Sequence, residues 1–299
     1  MSTSTLKPSS LPQSPTLRRP FAFRPVLLLV VPGFAIIVLF FVYPAISVLS
    51  RAWTHFQAPQ KGGWDNFAWF FTEDVNMTLL LRTFGITLLV TIITLVLAFP
   101  FAYLMTLVSR RWLVVMTTAV MLPFFTNYLV RIFAWVVLLQ DNGVVNGALS
   151  AFGIAPFHML GTTFAVAVGM AQTLLPLMIL PLYSVLQGID RSLLRASESL
   201  GASPAKSFFR IYLPLATPGM LAGSVLVFVF GLGFYLTPAI LGSPQNALLA
   251  QQVVTQVQDL LAWGRGSVLA LVLLLVTFAL LAVAMRFSRH TVSSAYGIR

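Results

Sequence analysis

Residues 188–214 read GIDRSLLRASESLGASPAKSFFRIYLP, a long polar interruption with a long apolar run on either side. Asp190 stands where it caps a short helix over 191–200, and Gly201 follows as a residue that tolerates a left-handed stop. Ser203 followed by Pro204 is a helix-start signal, which predicts a second short helix from 204 to about 212 running into the next apolar segment. Leu193, Leu194 and Leu200 share one face of this stretch, while Arg191, Arg195, Glu198 and Lys206 are spread over the others. A helix this short is not stable by itself, so its apolar face needs a surface. The pattern admits two: the headgroup layer of a membrane, or a groove on another protein.

The flanking runs identify the solvent. Of the 299 residues, 58% are hydrophobic and 8% charged, with a mean hydropathy of +0.92, a composition that a water-soluble fold could not hide. About 20 residues carry a helix across the hydrocarbon, and six apolar runs qualify: 26–50, 80–108, 112–138, 161–187, 213–241 and 267–287. Runs of that length fit helices and not the short alternating strands of a barrel. The expected architecture is an all-α integral membrane protein: a disordered tail over 1–24, a six-helix domain over 25–290 with the loop 188–212 inside it, and a short tail over 291–299. The first run is too long for the apolar core of a cleavable signal and, with Pro32, Gly33 and Pro44, reads as a permanent kinked span.

Charge sets the expected orientation. Most of the 18 Lys and Arg fall in the amino-terminal tail, the 109–111 turn, the 188–212 loop and the carboxy-terminal tail, which lie on one side of a six-span topology. Only Arg51, Lys61, Arg82 and Arg265 fall on the other. Both termini and the loop are therefore expected in the cytoplasm. The net charge of +11 is mostly this asymmetry, which points to anionic lipid and away from nucleic acid.

Several chemistries are excluded. No cysteine is present, which removes disulfides, thiolate metal sites and cysteine nucleophiles. His55, His158 and His290 are scattered, and no Ser/His or His/acid pair falls within a run, so neither a catalytic constellation nor a metal site is expected. An ion-coupled secondary transporter stays the less favoured alternative: such carriers show inverted repeats or buried ionisable side chains, neither is clear here, and the seven acids all lie outside the runs: Asp65, Glu73, Asp74, Asp141, Asp190, Glu198 and Asp259. One charge does lie within a run. In LPFFTNYLVRIFAWVVLL (122–139), Asn127 and Arg131 are four apart on one helix face. Arg131 either marks a functional site or bonds backbone carbonyls freed by nearby Pro123; being positive, it is not a direct ligand for a cation. Outside the runs, the aromatics of 51–79 suit an interfacial belt, and 247–262 is expected to be partly helical.

From Arg195 the chain reads R-A-S-E-S-L-G, then nine residues, then I-Y-L-P. This resembles the EAA loop of binding-protein-dependent ABC importer permeases, E-A-A-x-x-x-G-x9-I-x-L-P. Ala196, Gly201, Ile211, Leu213 and Pro214 match in place, whereas Arg195 stands for the usual glutamate and Ser197 for the second alanine. LPFFTNYLVRIFAWVVLL, LLPLMILPLYSVLQGID, LGASPAKSFFRIYLPLATPGMLAGS and YLTPAILG together resemble the spermidine/putrescine branch of those permeases, over roughly 80–287.

The resemblance implies a type I ABC importer permease fold. It further implies a second homologous permease in a heterodimer, two cytoplasmic ATPases that hold the ATP and Mg, and a periplasmic substrate-binding protein. This chain has no G-x-x-x-x-G-K-[ST] phosphate loop, so no cofactor is expected on it. The coupling candidates are then Arg191, Leu193, Leu194, Arg195, Ala196, Glu198, Leu200, Gly201, Ala202, Ser203, Pro204 and Phe208. Leu193, Leu194, Leu200 and Phe208 would make the apolar contact, with Arg195 and Glu198 at its rim. Asn127, Trp135, Asp141, Tyr235 and Asp259 are the candidates for the solute path. Within the same class, the alternative cargo is another small organic solute, such as an opine or an amino-acid derivative.

Overall fold

The computed structural model describes residues 31–296, so the tail expected over 1–24 lies outside the described residues. The described chain is helical throughout, with no strand among the described residues. Six stretches are long and apolar enough to cross a membrane: Val31–Thr54, Asp74–Met105, Tyr128–Ala151, Thr163–Leu186, Pro204–Leu232 and Trp263–Ala282. The chain divides into two compact units between Ser47 and Val48.

The first helix, α1, is Val31–Thr54. Its amino-terminal part contains a π-turn at Val38–Val42, in which the Tyr43 amide bonds the Val38 carbonyl. The cause is Pro44, whose ring lacks an N–H and clashes with the carbonyl four residues back; widening the helix by one residue removes the clash. The same device recurs before Pro214, where Phe208–Tyr212 form a π-turn and the Leu213 amide bonds the Phe208 carbonyl.

In the second unit, α2 (Asp65–Thr72) precedes the long α3 (Asp74–Met105), and a four-residue turn leads to α4 (Arg110–Phe125). After a break come α5 (Tyr128–Leu139) and α6 (Val144–Ala151), then α7 (Thr163–Leu186). The loop holds α8 (Ser192–Ser199), and α9 (Pro204–Leu232) climbs back through the π-turn. A second break separates α9 from α10 (Leu236–Leu241). Next, α11 covers Leu249–Val254 and continues as a π-turn over Thr255–Asp259, inside the 247–262 stretch expected to be partly helical. Finally α12 runs Trp263–Tyr296 and so continues past residue 287, where the apolar run ends.

Two of the expected spans are corrected. The run 112–138 is not one helix, because Asn127 leaves helical geometry with ψ 130 and caps a new helix with its own side chain. The run 213–241 stops at Leu232, since Gly233 to Tyr235 depart from helical geometry. Apolarity averaged over a run does not register either break, because only Thr126 and Asn127 are polar at the first and Gly233 to Tyr235 carry no charge at the second.

The main core is the packing of α3, α7 and α9, with Val90, Ala98, Met170, Leu174, Met178, Leu182 and Val227 buried between them. Small residues set the approach of α9 to α7. A Cβ on Gly219 would lie 3.2 Å from the Leu182 Cα, and one on Gly223 would lie 3.0 Å from the Met178 carbonyl oxygen. Close backbone contact of this kind replaces the missing hydrophobic drive between helices in lipid. A second cluster joins Ala52, Phe70, Leu79, Leu249, Val268 and Leu269. A third joins α5, the start of α7 and α10 through Ile132, Leu139, Ala165 and Leu241.

Candidate functional site

The loop 188–212 folds as its punctuation predicts. The Asp190 carboxylate accepts from the Ser192 amide at 2.8 Å and the Ser192 hydroxyl at 2.6 Å, and these bonds hold its pKa below the ordinary carboxylate value. At the far end of α8, Gly201 has φ +88, the Gly201 amide bonds the Glu198 carbonyl at 2.9 Å, and the Ala202 amide bonds the Ser197 carbonyl at 3.1 Å. This pair of bonds is a Schellman stop, which requires the left-handed residue that glycine supplies. Ser203 caps the following helix by accepting from the Lys206 amide at 3.4 Å, with Pro204 in the first turn.

The loop is not free on its inner side. The Arg191 Nη2 donates to the Thr106 carbonyl at 2.7 Å and to the Thr106 hydroxyl at 3.0 Å, at the carboxy-terminal end of α3. Ser197 and Ser207 join their hydroxyls at 2.6 Å, with Ser207 buried, and so close α8 onto the start of α9. Phe208 stacks on Tyr212 and meets Phe99 and Tyr103 edge-on.

The apolar residues grouped by the sequence pattern are therefore divided. Leu193 and Leu200 are exposed, the latter at 90%, whereas Leu194 and Phe208 pack against the main core. The correction has a simple reason: α9 is continuous with the loop, and its first turns carry Phe208 into the aromatic end of α3. Phe209, the next residue, is the exposed one. With it, Arg195, Ala196, Glu198, Pro204, Lys206 and Arg210 are exposed, and Ala202 is half-buried.

The two helix breaks face each other. The Tyr128 hydroxyl, in the first turn of α5, lies 2.6 Å from the Thr237 hydroxyl of α10, and its ring meets Phe234 edge-on. A Cβ on Gly231 would lie 3.7 Å from Leu174 Cδ1, and Leu174 stands midway along α7, so the end of α9 lies near mid-span. Arg131 Nη1 donates to the Pro123 carbonyl at 2.7 Å, an acceptor shared with the Thr126 hydroxyl at 2.8 Å. The guanidinium thus bonds a backbone carbonyl at the break, close to the second of the two roles weighed for it, although this carbonyl is Pro123's own and also accepts from the Thr126 amide at 3.3 Å. Its carbon also lies 5.5 Å from the Tyr128 ring centre.

The five path candidates do not converge on one point. Asn127 caps α5 by accepting from the Leu129 amide at 2.9 Å. Trp135 is half-buried in the cluster with Tyr128, Leu236 and Ile240. Tyr235 is exposed at the second break, beside an apolar cleft against α11 and α12 that includes Gly233 and Val253. Asp141 pairs with His158 at 2.8 Å beside the turn between α5 and α6, and Asp259 is exposed at the end of the π-turn that follows α11. No group of three His, Asp or Glu side chains among the described residues is placed to hold a metal. Reading the sequence missed Thr106, Ser207, Tyr128 and Thr237. Their partners are 85, 10, 109 and 109 residues away, and no local pattern announces such contacts.

Known proteins share sequence and fold with this chain. The chain is 35% identical over 201 residues to the spermidine/putrescine transport system permease protein PotB of Haemophilus influenzae, covering 67% of this chain and 70% of that one. It is 32% identical over 219 residues to PotB of Escherichia coli, covering 73% and 80%. It is also 37% identical over 184 residues to the inner membrane ABC transporter permease protein YdcU of Escherichia coli, covering 56% and 58%. Its fold is that of a bacterial alginate ABC transporter solved in complex with an alginate pentasaccharide-bound periplasmic protein, with a TM-score of 0.72 at 18% identity over 90% of this chain and 96% of that one. Residues 95–291 match the family described as binding-protein-dependent transport system inner membrane component, and the chain belongs to that family.

Proposed function

We propose that this multi-pass inner-membrane chain is the permease subunit of an ATP-driven importer of polyamines of the spermidine or putrescine type. The observation that carries the substrate class is the 31–35% identity to spermidine/putrescine permeases over two thirds or more of the chain. In this reading a second homologous permease completes the path, a periplasmic binding protein delivers the solute, and two cytoplasmic ATPases hold the ATP and Mg. Both termini and the loop 188–212 lie on the cytoplasmic side, where the basic residues concentrate.

The coupling step follows from the loop's shape. Leu193, Leu200 and Phe209 present exposed apolar surface to the ATPase, with Arg195, Glu198 and Lys206 exposed around them. The Schellman stop at Gly201 and the Ser197–Ser207 bond keep the two helices at one angle, so the loop moves as a rigid lever. Because α9 is continuous with the lever, closure of the ATPase pair displaces α9 and the break at its end.

The acids of this subunit lie at or beyond the ends of the crossing helices, apart from Asp141 in the turn between α5 and α6, so a polycation meets at most that one fixed anion within a crossing stretch. Its passage relies on aromatic faces and on carbonyls at the two breaks, with Asn127, Trp135 and Tyr235 nearby. Asp141 and Asp259 supply attraction at the outer mouth, and selection among polyamines rests chiefly with the binding protein.

The test is purification in mild detergent followed by reconstitution with the binding protein. Co-purification of an ATPase and a second permease, with ATP hydrolysis stimulated by spermidine and the binding protein, is the expected result. A chain that purifies alone and carries solute into vesicles without ATP would overturn the proposal.

A further inference from the structure

We infer that Arg191 is the positioning residue that transmits movement of α8 to the α3–α4 turn, a second route out of the lever besides its continuity with α9. The inference rests on the coupling reading above. By sequence pattern Arg191 belongs with the ATPase-facing residues, yet its guanidinium turns the other way, onto Thr106.

Thr106 is the C-cap of α3, and its carbonyl is among those a helix end leaves without an intrahelical partner. A cation there gains both a charge-assisted hydrogen bond and the favourable end of the helix dipole. Among the described residues this is the single hydrogen-bonded tie between the α8 segment and α3. Around it, Phe208 and Tyr212 pack on Tyr103, and Leu194 packs on the main core, so the tie is set in a wall that keeps α3 and the loop adjacent.

The consequence lies along the chain. Only residues 107–109 separate Thr106 from α4, and α4 ends at Phe125, where the Pro123 carbonyl, Arg131 and Tyr128 form the first break. A push on α8 therefore reaches one break through Arg191, Thr106 and α4, and the other through α9. Driving both breaks from one lever matters because they touch through Tyr128 and Thr237. Moving one alone would shear that contact.

The experiment compares the reconstituted complex carrying Arg191→Ala or Arg191→Lys with the parent. In Arg191→Ala, ATPase co-purification is expected to stay unchanged while spermidine imported per ATP hydrolysed falls by about tenfold, the factor of one charge-assisted hydrogen bond. Arg191→Lys should recover part of it, since one ammonium still reaches a carbonyl. An unchanged import ratio in Arg191→Ala overturns the inference; loss of the ATPase also overturns it, by showing that Arg191 is a docking residue.

A second readout needs no substrate. The chain has no cysteine, so spin labels at Ser109→Cys and Lys206→Cys are the only ones it carries, and the partners are used cysteine-free. Their distance should stay fixed between nucleotide-free and ATP-bound complexes and should shift on ATP binding once Arg191→Ala is added. Identical behaviour with and without Arg191 refutes the transmission role. A parent complex that imports no polyamine refutes the proposed function instead and leaves this distance test standing.

Discussion

Substitution of Gly201 separates the backbone contribution to coupling from side-chain contact. Gly201 holds φ +88, and a Cβ built there meets nothing within 4 Å. The penalty of a side chain is therefore conformational and not steric. A residue with a Cβ pays about 1–2 kcal/mol to enter the left-handed region, a shift of about 5–30-fold in the turn's population. Gly201→Asn should cost least, because asparagine tolerates this region, and Gly201→Ala should be intermediate. Gly201→Val should be worst, since a β-branched residue at positive φ is a genuine outlier.

The opposing bonds are the Schellman pair, the Ser203 cap and the Ser197–Ser207 link, each worth about 1 kcal/mol. They oppose loss of the turn, so alanine should retain most of it and valine least. The assay is the amount of ATPase recovered with affinity-purified permease, alongside binding-protein-stimulated ATP hydrolysis. The expected order is Gly, Asn, Ala, Val in both measurements, with Val lowered by at least tenfold. If Gly201→Val keeps full ATPase recovery and transport, the fixed angle between α8 and α9 has no part in coupling.

Three further outcomes follow from the same geometry. Gly223→Ala places a Cβ 3.0 Å from the Met178 carbonyl and 3.2 Å from its Cα, so α7 and α9 must separate at a cost of about 1–3 kcal/mol. The melting temperature of the purified chain should drop by several degrees, while Gly147→Ala, with nothing within 4 Å, should leave it level or slightly higher. Arg131→Leu withdraws the guanidinium from the Pro123 carbonyl and should destabilise the purified chain by about 1–3 kcal/mol, with Arg131→Lys in between; equal thermal stability of Leu and parent would deny Arg131 this structural role. The Asp190 carboxyl is held below its ordinary value by Ser192, so its cap is fully present above the unfolded value and is lost only as pH falls through the lower folded one. ATPase recovery should therefore be level between pH 8 and pH 5 as far as this cap is concerned, and Asp190→Ala should lower it at all of these values.

Much of the fold was legible because membrane helices are written in composition. Apolar length reports each crossing directly, so the six spans could be counted, and Asp190, Gly201, Ser203 and Pro204 marked the loop's helices within a residue or two. Such signals are local: a cap, a stop and an apolar run each depend on neighbours a few positions away. The two breaks were harder, since Thr126, Asn127 and Gly233 are too few to lower the mean hydropathy of long apolar runs.

By itself, then, the sequence determined an all-α membrane protein with a capped, amphipathic loop of the EAA type, because those properties follow from chain solvation and short-range hydrogen bonds. Only the tertiary structure decided which faces of the loop are occupied. It turned Leu194 and Phe208 inward and left Leu193, Leu200 and Phe209 outside. It brought Arg191 to Thr106 and Tyr128 to Thr237 across 85 and 109 residues. Those contacts depend on how α3 and α7 pack against the glycines of α9, and the energies that choose one packing over another are summed over many distant pairs and carried by no single segment.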